Sequence, residues 1–493
     1  MDINNKVIKM NYKPSEYQNN IFDWIKNGSG NCIIQSVAGS GKTTTIVEAT
    51  KLISEEKKVI FLAFNKDIQM ELKKKLPKHI KCKTLHSLGY SMFFMNGEQP
   101  IIDNRKNIDI VNNILEEYDY GDDKYFREIL YKVIEKTRST IINYNTEIIH
   151  NYYKDFNYSA SIKECEITEE ILNKIKIDKT TIDFQDMIWF PIVHDFYCNK
   201  YDYVFVDEVQ DLNNIQFELI KKICDDKTRV IGVGDRKQSI YGFRYVDLDS
   251  MDKFKEYYNC AEFPLSICYR CPKKHINLVR RFVPYIEADE KANEGILEQI
   301  SLDDLHRIED DACIICRTNA PLVDMVFSLI RLDKKATILG RNIGKNLLNI
   351  INKYKTDDFE KLKNKLEKNI KLQNEKLKRI LSGQEDIRKK GMVLSIIDTY
   401  ETILVISENV NSIDELKQKI LNIFSDDVKG IICTTIHKVK GMEFDNVYIY
   451  RPDLMPHPCA ESDDEKEQEN NMIVVAYTRS KNKLSIINDK IMR

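Results

Sequence analysis

The chain has 493 residues, 42% hydrophobic and 31% charged, with a formal net charge of −2. That length asks for about three or four ordinary domains, and the composition belongs with soluble globular proteins rather than disordered or membrane-embedded ones. So little net charge gives no bulk attraction to a polyanion, and a nucleic-acid partner would need a local groove.

The N-terminal segment Met1-Asp-Ile-Asn-Asn-Lys6 lacks the charged region and apolar run of a secretory signal, and no apolar stretch approaches a membrane span. An intracellular setting is expected: cytoplasm or nucleoid, or a host cell or virion if the chain is viral. The Asn-, Ile- and Lys-rich composition hints at an AT-rich bacterial or viral genome. Residues Cys32 to Ile34 form an apolar run, followed by Ser36-Val-Ala38-Gly39-Ser40-Gly41-Lys42-Thr43-Thr44 and then by helical spacing at Ile46, Val47, Ala49 and Leu52. Strand, small-residue loop and helix in that order turn backbone N–H groups and a helix N-terminus toward a polyphosphate. Lys42 would reach the β- and γ-phosphates, and Thr43 would take one position on Mg²⁺. The usual loop of this kind begins with Gly, where Ser36 stands here.

Further short β-branched runs at 59–63, 203–206, 229–233, 312–316, 336–339, 431–435, 447–450 and 484–487 alternate with helical segments. Parallel α/β layers follow, in two sheets rather than one. Residues 91–185 carry helical spacing (Ile108, Val111, Ile114, Leu115) and read as a helical insertion. In 346–425 an apolar stripe runs through Phe359, Leu362, Leu366, Ile370, Leu377 and Leu381. Residues 351–390 hold thirteen Lys/Arg against seven Asp/Glu; a solvated helix face or a lean on phosphate would each use that excess.

Tyr203-Val-Phe-Val-Asp207-Glu208 is an apolar strand ending in two carboxylates. The first can hold Mg²⁺ and the second can orient and deprotonate an attacking water. Gly232-Val-Gly-Asp235-Arg-Lys-Gln238-Ser-Ile-Tyr241-Gly-Phe243-Arg244 follows another strand. Gln238 could sense a γ-phosphate there, and Tyr241 and Phe243 are aromatic side chains in a polar loop, suited to stacking on bases. Of the twelve cysteines, Cys268/Cys271 and Cys313/Cys316 have C-x-x-C spacing. The second pair lies in an apolar strand, where side chains three apart face opposite ways, so buried thiols and no structural metal are expected.

With these residues in view, the chain resembles superfamily 1 helicases of the UvrD/Rep type, with nearly every motif in order. Tyr12-Lys-Pro-Ser-Glu-Tyr-Gln18 resembles the segment that reads adenine. Phe61-Leu-Ala-Phe64-Asn65-Lys66 and Thr84-Leu-His86-Ser87 resemble two strand-contacting motifs, and Asp183-Phe-Gln-Asp186 a segment that precedes the Asp-Glu motif. Leu265-Ser-Ile-Cys-Tyr269-Arg270 resembles motif IV, with Cys268 where the family usually has Asn. Thr435-Ile-His437-Lys-Val-Lys440-Gly441-Met-Glu443-Phe-Asp445 resembles motif V, and the stretch from Glu469 through Ala476, Thr478, Arg479 and Lys481 resembles motif VI.

The resemblance implies two RecA-like parallel-sheet P-loop NTPase domains in tandem, each with a mainly helical insertion: 1–90 with 186–262, insertion 91–185, then 263–345 with 426–493, and a reduced insertion 346–425. It implies ATP as substrate with Mg²⁺, the metal on Thr43 and Asp207. Gln18, Ala38 to Thr44, Tyr269, Gly441 and Glu443 would bind the nucleotide, and Arg270 and Arg479 would act as arginine fingers across a cleft that closes on ATP. Phe64, Asn65, Lys66, His86, Tyr241, Phe243, Arg244 and His437 would grip single-stranded or partly duplex DNA, with RNA also open. Movement would be 3′→5′, with unwinding or without it, and no membrane is involved. A P-loop enzyme unrelated to nucleic acid is the competing class, and it has no use for Gln238, Tyr241, Arg270 or Arg479. The chain ends soon after the last motif, so no nuclease module is expected.

Overall fold

The computed structural model describes residues 13–121, 123–140, 142–156, 158–241, 246, 248–382, 390–408, 410–424, 430–458, 460 and 462–488. The chain divides into two compact units, one of residues 1–106, 178–236 and 243–267, the other of 107–177, 237–242 and 268–493.

The first unit is built on a six-stranded parallel sheet. Its strands are β1 (Cys32–Ser36), β2 (Val59–Ala63), β3 (Lys81–Thr84), β4 (Tyr203–Val206), β5 (Arg229–Gly234) and β6 (Ala261–Leu265), in spatial order β3-β2-β4-β5-β1-β6. Every residue of β1 and β2 is buried, as a sheet covered on both faces requires. Helices α1 (Glu16–Asn27), α2 (Lys42–Thr50), α3 (Lys66–Lys75) and α4 (Leu85–Met95) precede the insertion. Ile21, Ile25 and Ile46 pack with Ile34, Phe61, Phe205 and Ile231 of the sheet, and the Phe61 and Phe205 rings stack 6.0 Å apart. Each such fully buried side chain contributes about 1.5–3 kcal/mol.

The second unit holds another six-stranded parallel sheet: β7 (Ile296–Ser301), β8 (Cys313–Cys316), β9 (Ala336–Ile338), β10 (Ile431–Thr435), β11 (Phe444–Tyr450) and β12 (Ser480–Asn488), ordered β7-β12-β11-β8-β10-β9. Two parallel α/β sheets in tandem are the architecture expected from the alternating runs. Cys313 and Cys316 are buried in β8, one of its inner strands.

Three strands of the two six-stranded sheets have no apolar run to announce them: β3 (Lys-Cys-Lys-Thr), β6 (Ala-Glu-Phe-Pro-Leu) and β7. All three are edge strands. An edge is open on one side, so polar side chains and even Pro264 are tolerated there.

Helices Lys106–Glu117, Lys124–Thr140, Thr146–Asp155 and Ile162–Ile177 occupy the first insertion; Arg341–Lys353, Phe359–Leu381, Lys390–Ser407 and Ile413–Ile423 lie in and beside the second. The apolar stripe of Phe359–Leu381 buries Leu362 and Leu366 but turns at its end. Leu381 is 46% exposed and Ile380 is buried instead against Val393 and Ile397, with Leu377 partly buried beside it. A three-residue step from Leu377 keeps the side chain on the face of the neighbouring helix, where a four-residue step overshoots it.

Candidate nucleotide site and nucleic-acid interface

In the first unit, β1 ends at Ser36, whose hydroxyl donates to the Gly234 carbonyl at 2.8 Å. That bond ties together the ends of two neighbouring strands, a use for the hydroxyl that a leading Gly would lack. The loop then turns through Gly39 (φ +68°) and Gly41 (φ +75°), a region in which a Cβ is strained. Gly41 is the N-cap of α2 and offers no side-chain cap, so the first-turn N–H groups and the positive end of the helix dipole face the loop. Ser40 is 2% exposed and its hydroxyl has no hydrogen-bond partner among the described residues. Ala38 is buried, Thr43 is half-buried and Thr44 is exposed.

The strand–loop–helix pattern brings Lys42 to the carboxylates at the end of β4. Its ammonium lies 3.4 Å from Asp207 Oδ1 and bonds to Glu208. Among the described residues Asp207 Oδ1 accepts no hydrogen bond. Glu208 adopts φ +53°, a left-handed conformation that costs a non-glycine residue about 1–3 kcal/mol. Gln210 holds it there, donating to Glu208 while accepting from the Asp235 backbone N–H at 3.1 Å. Burial works against the Lys42 charge, yet Asp207 and Glu208 outweigh it and hold the ammonium protonated well above its usual range. Asp207 is pushed upward by burial and by the charge of Glu208, with Lys42 pulling the other way. A buried carboxylate oxygen without a donor and a buried hydroxyl without a partner, beside an uncapped helix start, fit a bound cation and polyphosphate.

Gln18 is held inside the unit. Its Oε1 accepts from the Ser15 backbone N–H at 3.0 Å in the capping box of α1, and its Nε2 donates to Thr45 at 2.8 Å. An adenine edge would have to replace the Thr45 bond. Asn65 caps α3 through the Ile68 N–H at 2.9 Å, with Lys66 exposed behind it and Phe64 half-buried. His86 sits in the first turn of α4, its ring edge-on to Phe184 at 6.3 Å. Because Ala63 pairs with Thr84, both segments leave the same end of the sheet. Asp183 and Asp186 bond each other's backbone at the start of helix Asp186–Val193, and buried Lys106 pairs with Asp186 at 3.1 Å. That segment is a folding element.

The second unit gathers another set. Arg479 is 1% exposed. Its guanidinium donates to the Val475 carbonyl at 2.8 Å, the Met442 carbonyl at 3.2 Å, Thr478 Oγ1 at 3.0 Å and Gln238 Oε1 at 3.2 Å. Lys440 donates to the Gln238 carbonyl at 2.6 Å and lies over the Tyr241 ring at 4.8 Å. The Tyr241 hydroxyl donates to the His437 carbonyl at 3.3 Å. Arg270 donates to Glu443 at 2.8 Å, and Lys481 reaches the other oxygen at 2.7 Å. Burial raises the Glu443 carboxyl, but Lys481 and Arg270 overcome it and hold it below the usual range. Tyr269 is 44% exposed, and Gly441 is at φ +87°. Phe243 and Arg244 lie outside the described residues.

The structure thus groups Lys42, Asp207 and Glu208 in one unit, and Gln238, Arg479, Arg270 and Glu443 in the other. Five connecting residues have no role legible in the sequence: Thr45, Gln210, Lys440, Asn471 and Lys481. Asn471 donates to the Ser239 carbonyl at 3.0 Å. Lys440, Asn471 and Lys481 stand inside quoted motifs and Gln210 two residues after the carboxylate pair, which is the signal that could have found them.

Residues 18–259 match the family model of the UvrD/REP helicase N-terminal domain, and residues 350–488 match the viral superfamily 1 RNA helicase core domain. The ATP-dependent DNA helicase PcrA of Bacillus subtilis is 22% identical over 371 residues, 64% of this chain and 49% of that protein. PcrA of Staphylococcus aureus is 22% identical over 289 residues, 52% of this chain and 38% of the relative. The F-box DNA helicase protein 1 of Schizosaccharomyces pombe is 22% identical over 520 residues, covering 93% of this chain and 56% of its own length. The chain spans about half the length of the curated relatives it matches.

Proposed function

We propose that this chain, which belongs to the UvrD/Rep group of superfamily 1 helicases, hydrolyses ATP to move 3′→5′ along single-stranded DNA and to open duplexes ahead of it. The observation that carries the reading is the Lys42–Asp207–Glu208 cluster at the uncapped start of α2. On this reading Lys42 and the loop N–H groups bind the β- and γ-phosphates, while Thr43 and Asp207 hold Mg²⁺. The metal, when bound, neutralises charge on the phosphate oxygens. Glu208 orients the attacking water and accepts its proton. Arg270 and Arg479 supply positive charge to the γ-phosphate, with Gln238, bonded to Arg479, reporting its presence. Tyr269 and Gln18 take the adenine, and Gly441 and Glu443 the ribose or terminal phosphate. Phe64 and Tyr241 stack on bases; Asn65, Lys66, His86 and His437 hold phosphate or ribose. The domain limits proposed are 1–90 with 186–262, 263–345 with 426–493, and helical insertions at 91–185 and 346–425.

The match to a viral superfamily 1 RNA helicase model over residues 350–488 supports RNA as a second substrate reading. The deciding experiment is steady-state ATP hydrolysis with and without single-stranded DNA or RNA. Stimulation of tenfold or more by one of them is expected; equal rates in all three conditions would sink the reading in favour of an NTPase that does not act on nucleic acid.

A further inference from the structure

The stretch from Lys73 to Lys83 holds six lysines and one histidine in eleven residues and no acid, in a chain whose net charge is −2. It spans the last turn of α3, the turn after it, and the edge strand β3. Part of this concentration has a local cause, since Lys73, Lys74 and Lys75 end a helix and meet its negative dipole end. Lys75 is also paired with Glu71. The remainder has no such cause. Lys73, Lys78, Lys81 and Lys83 line a cavity of about 460 Å³, backed by Leu76 and Ile80. Lys81 and Lys83 are two apart on β3 and share a side of it, while Cys82 between them is buried.

The neighbours that act on Lys83 are themselves positive. Burial depresses its ammonium first, and Lys81 and Lys73 depress it further. Among the described residues no ion pair within 4 Å joins any of the four lysines to a carboxylate. Lys81 instead rests over the Tyr201 ring at 5.6 Å. Four like charges brought around one cavity repel each other, an arrangement that an anion in the cavity relieves. The cavity is also apart from the residues proposed to grip the strand. Asn65 and Lys66 begin α3 and Lys73 lies in its last turn, about 10–15 Å farther along a helix rising about 1.5 Å per residue.

We propose that this lysine-lined cavity at the β3 edge is a second nucleic-acid site, which takes the phosphate backbone of a strand or duplex outside the motor track. The inference rests on the reading that nucleic acid is the substrate. An acidic peptide adding a strand to the β3 edge is the rival occupant, and the edge argues against it. The Cys82 carbonyl already accepts a bond from Gln69 of α3 at 2.8 Å, so an edge acceptor that strand addition would need is taken. Charge without backbone pairing suits a phosphodiester chain, to which lysines bind as point charges and displace counterions.

The test uses the full chain, with Lys73, Lys78 and Lys81 replaced together by Gln, and separately by Arg. Fluorescein-labelled single strands and hairpin duplexes are titrated by anisotropy across a salt series. For the Gln variant the slope of log affinity against log salt should shrink by about 2 to 3, near one for each phosphate no longer neutralised. Affinity at about 0.1 M salt should fall roughly tenfold, with turnover at saturating strand within about twofold of wild type. The Arg variant should bind like wild type, which separates the loss of charge from damaged packing. Unchanged slope and affinity in the Gln variant, beside a wild type that binds strand and is stimulated by it, would overturn this inference alone. Equal losses in both variants would overturn it too. A wild type that binds no strand would take the functional reading down with it. A poly-glutamate peptide that binds the wild type but not the Gln variant, with strand binding untouched, would assign the cavity to an acidic protein instead.

Discussion

Arg479 and Lys42 illustrate two ways of holding a charge inside a protein. Lys42 sits against two carboxylates, with one oxygen of Asp207 accepting no hydrogen bond among the described residues, so its charge is balanced by neighbouring acids. Arg479 is fixed through its three nitrogens to Val475, Met442, Thr478 and Gln238. Lysine carries the charge but not the planar fork that makes those bonds. Arg479→Lys should therefore leave ATP-analogue affinity within a few-fold and cut turnover by about a hundredfold or more. Equilibrium binding and single-turnover hydrolysis check it, and loss of binding itself would remove the finger role. Lys42 was legible from its place in Gly-Lys-Thr. That Gln210 stabilises the left-handed Glu208 was not, because the bond joins side chains whose geometry depends on the strained turn.

Elements were legible where both faces of a strand are covered, since burial on two sides forces a continuous apolar run. β1, β2, β4 and β5 announce themselves this way; β3, β6 and β7, open at one side, do not. The helix α4 shows a constraint that only packing explains. Gly89 faces helix Asp186–Val193 so closely that an added Cβ would stand 1.9 Å from the Met187 carbonyl oxygen. Alanine is worth about 1 kcal/mol more than glycine in a free helix, so propensity alone favours Gly89→Ala. Overpacking against backbone wins, and a net loss of about 2 kcal/mol or more is expected in urea unfolding. A neutral or stabilising result would mean that the two helices separate easily.

For the whole molecule, the proposed nucleotide site links ligand to stability. A ligand that binds only the folded chain at about 100 times its Kd adds about 2.7 kcal/mol. A non-hydrolysable ATP analogue with Mg²⁺ should raise the melting temperature of the wild type by several degrees, and that of Lys42→Ala by little. Equal shifts in both would place nucleotide binding elsewhere. No helix among the described residues is long and apolar enough to cross a membrane.

The two-sheet α/β class, the glycine-bearing loop between β1 and α2, the carboxylate pair and the order of motifs are all legible in the amino-acid string, because each is written in residues close together in the chain. What those residues touch emerges only on folding: Ser36 on Gly234, Gln18 on Thr45, Arg479 on Gln238, and Arg270 on Glu443. Folding also draws the lysines of α3 and β3 around one cavity. Except for Gln18 and Thr45, the four pairs named here join residues more than 150 positions apart, and local pattern carries no information over that range. Packing supplies it, by bringing strand ends from distant segments to one side of a sheet.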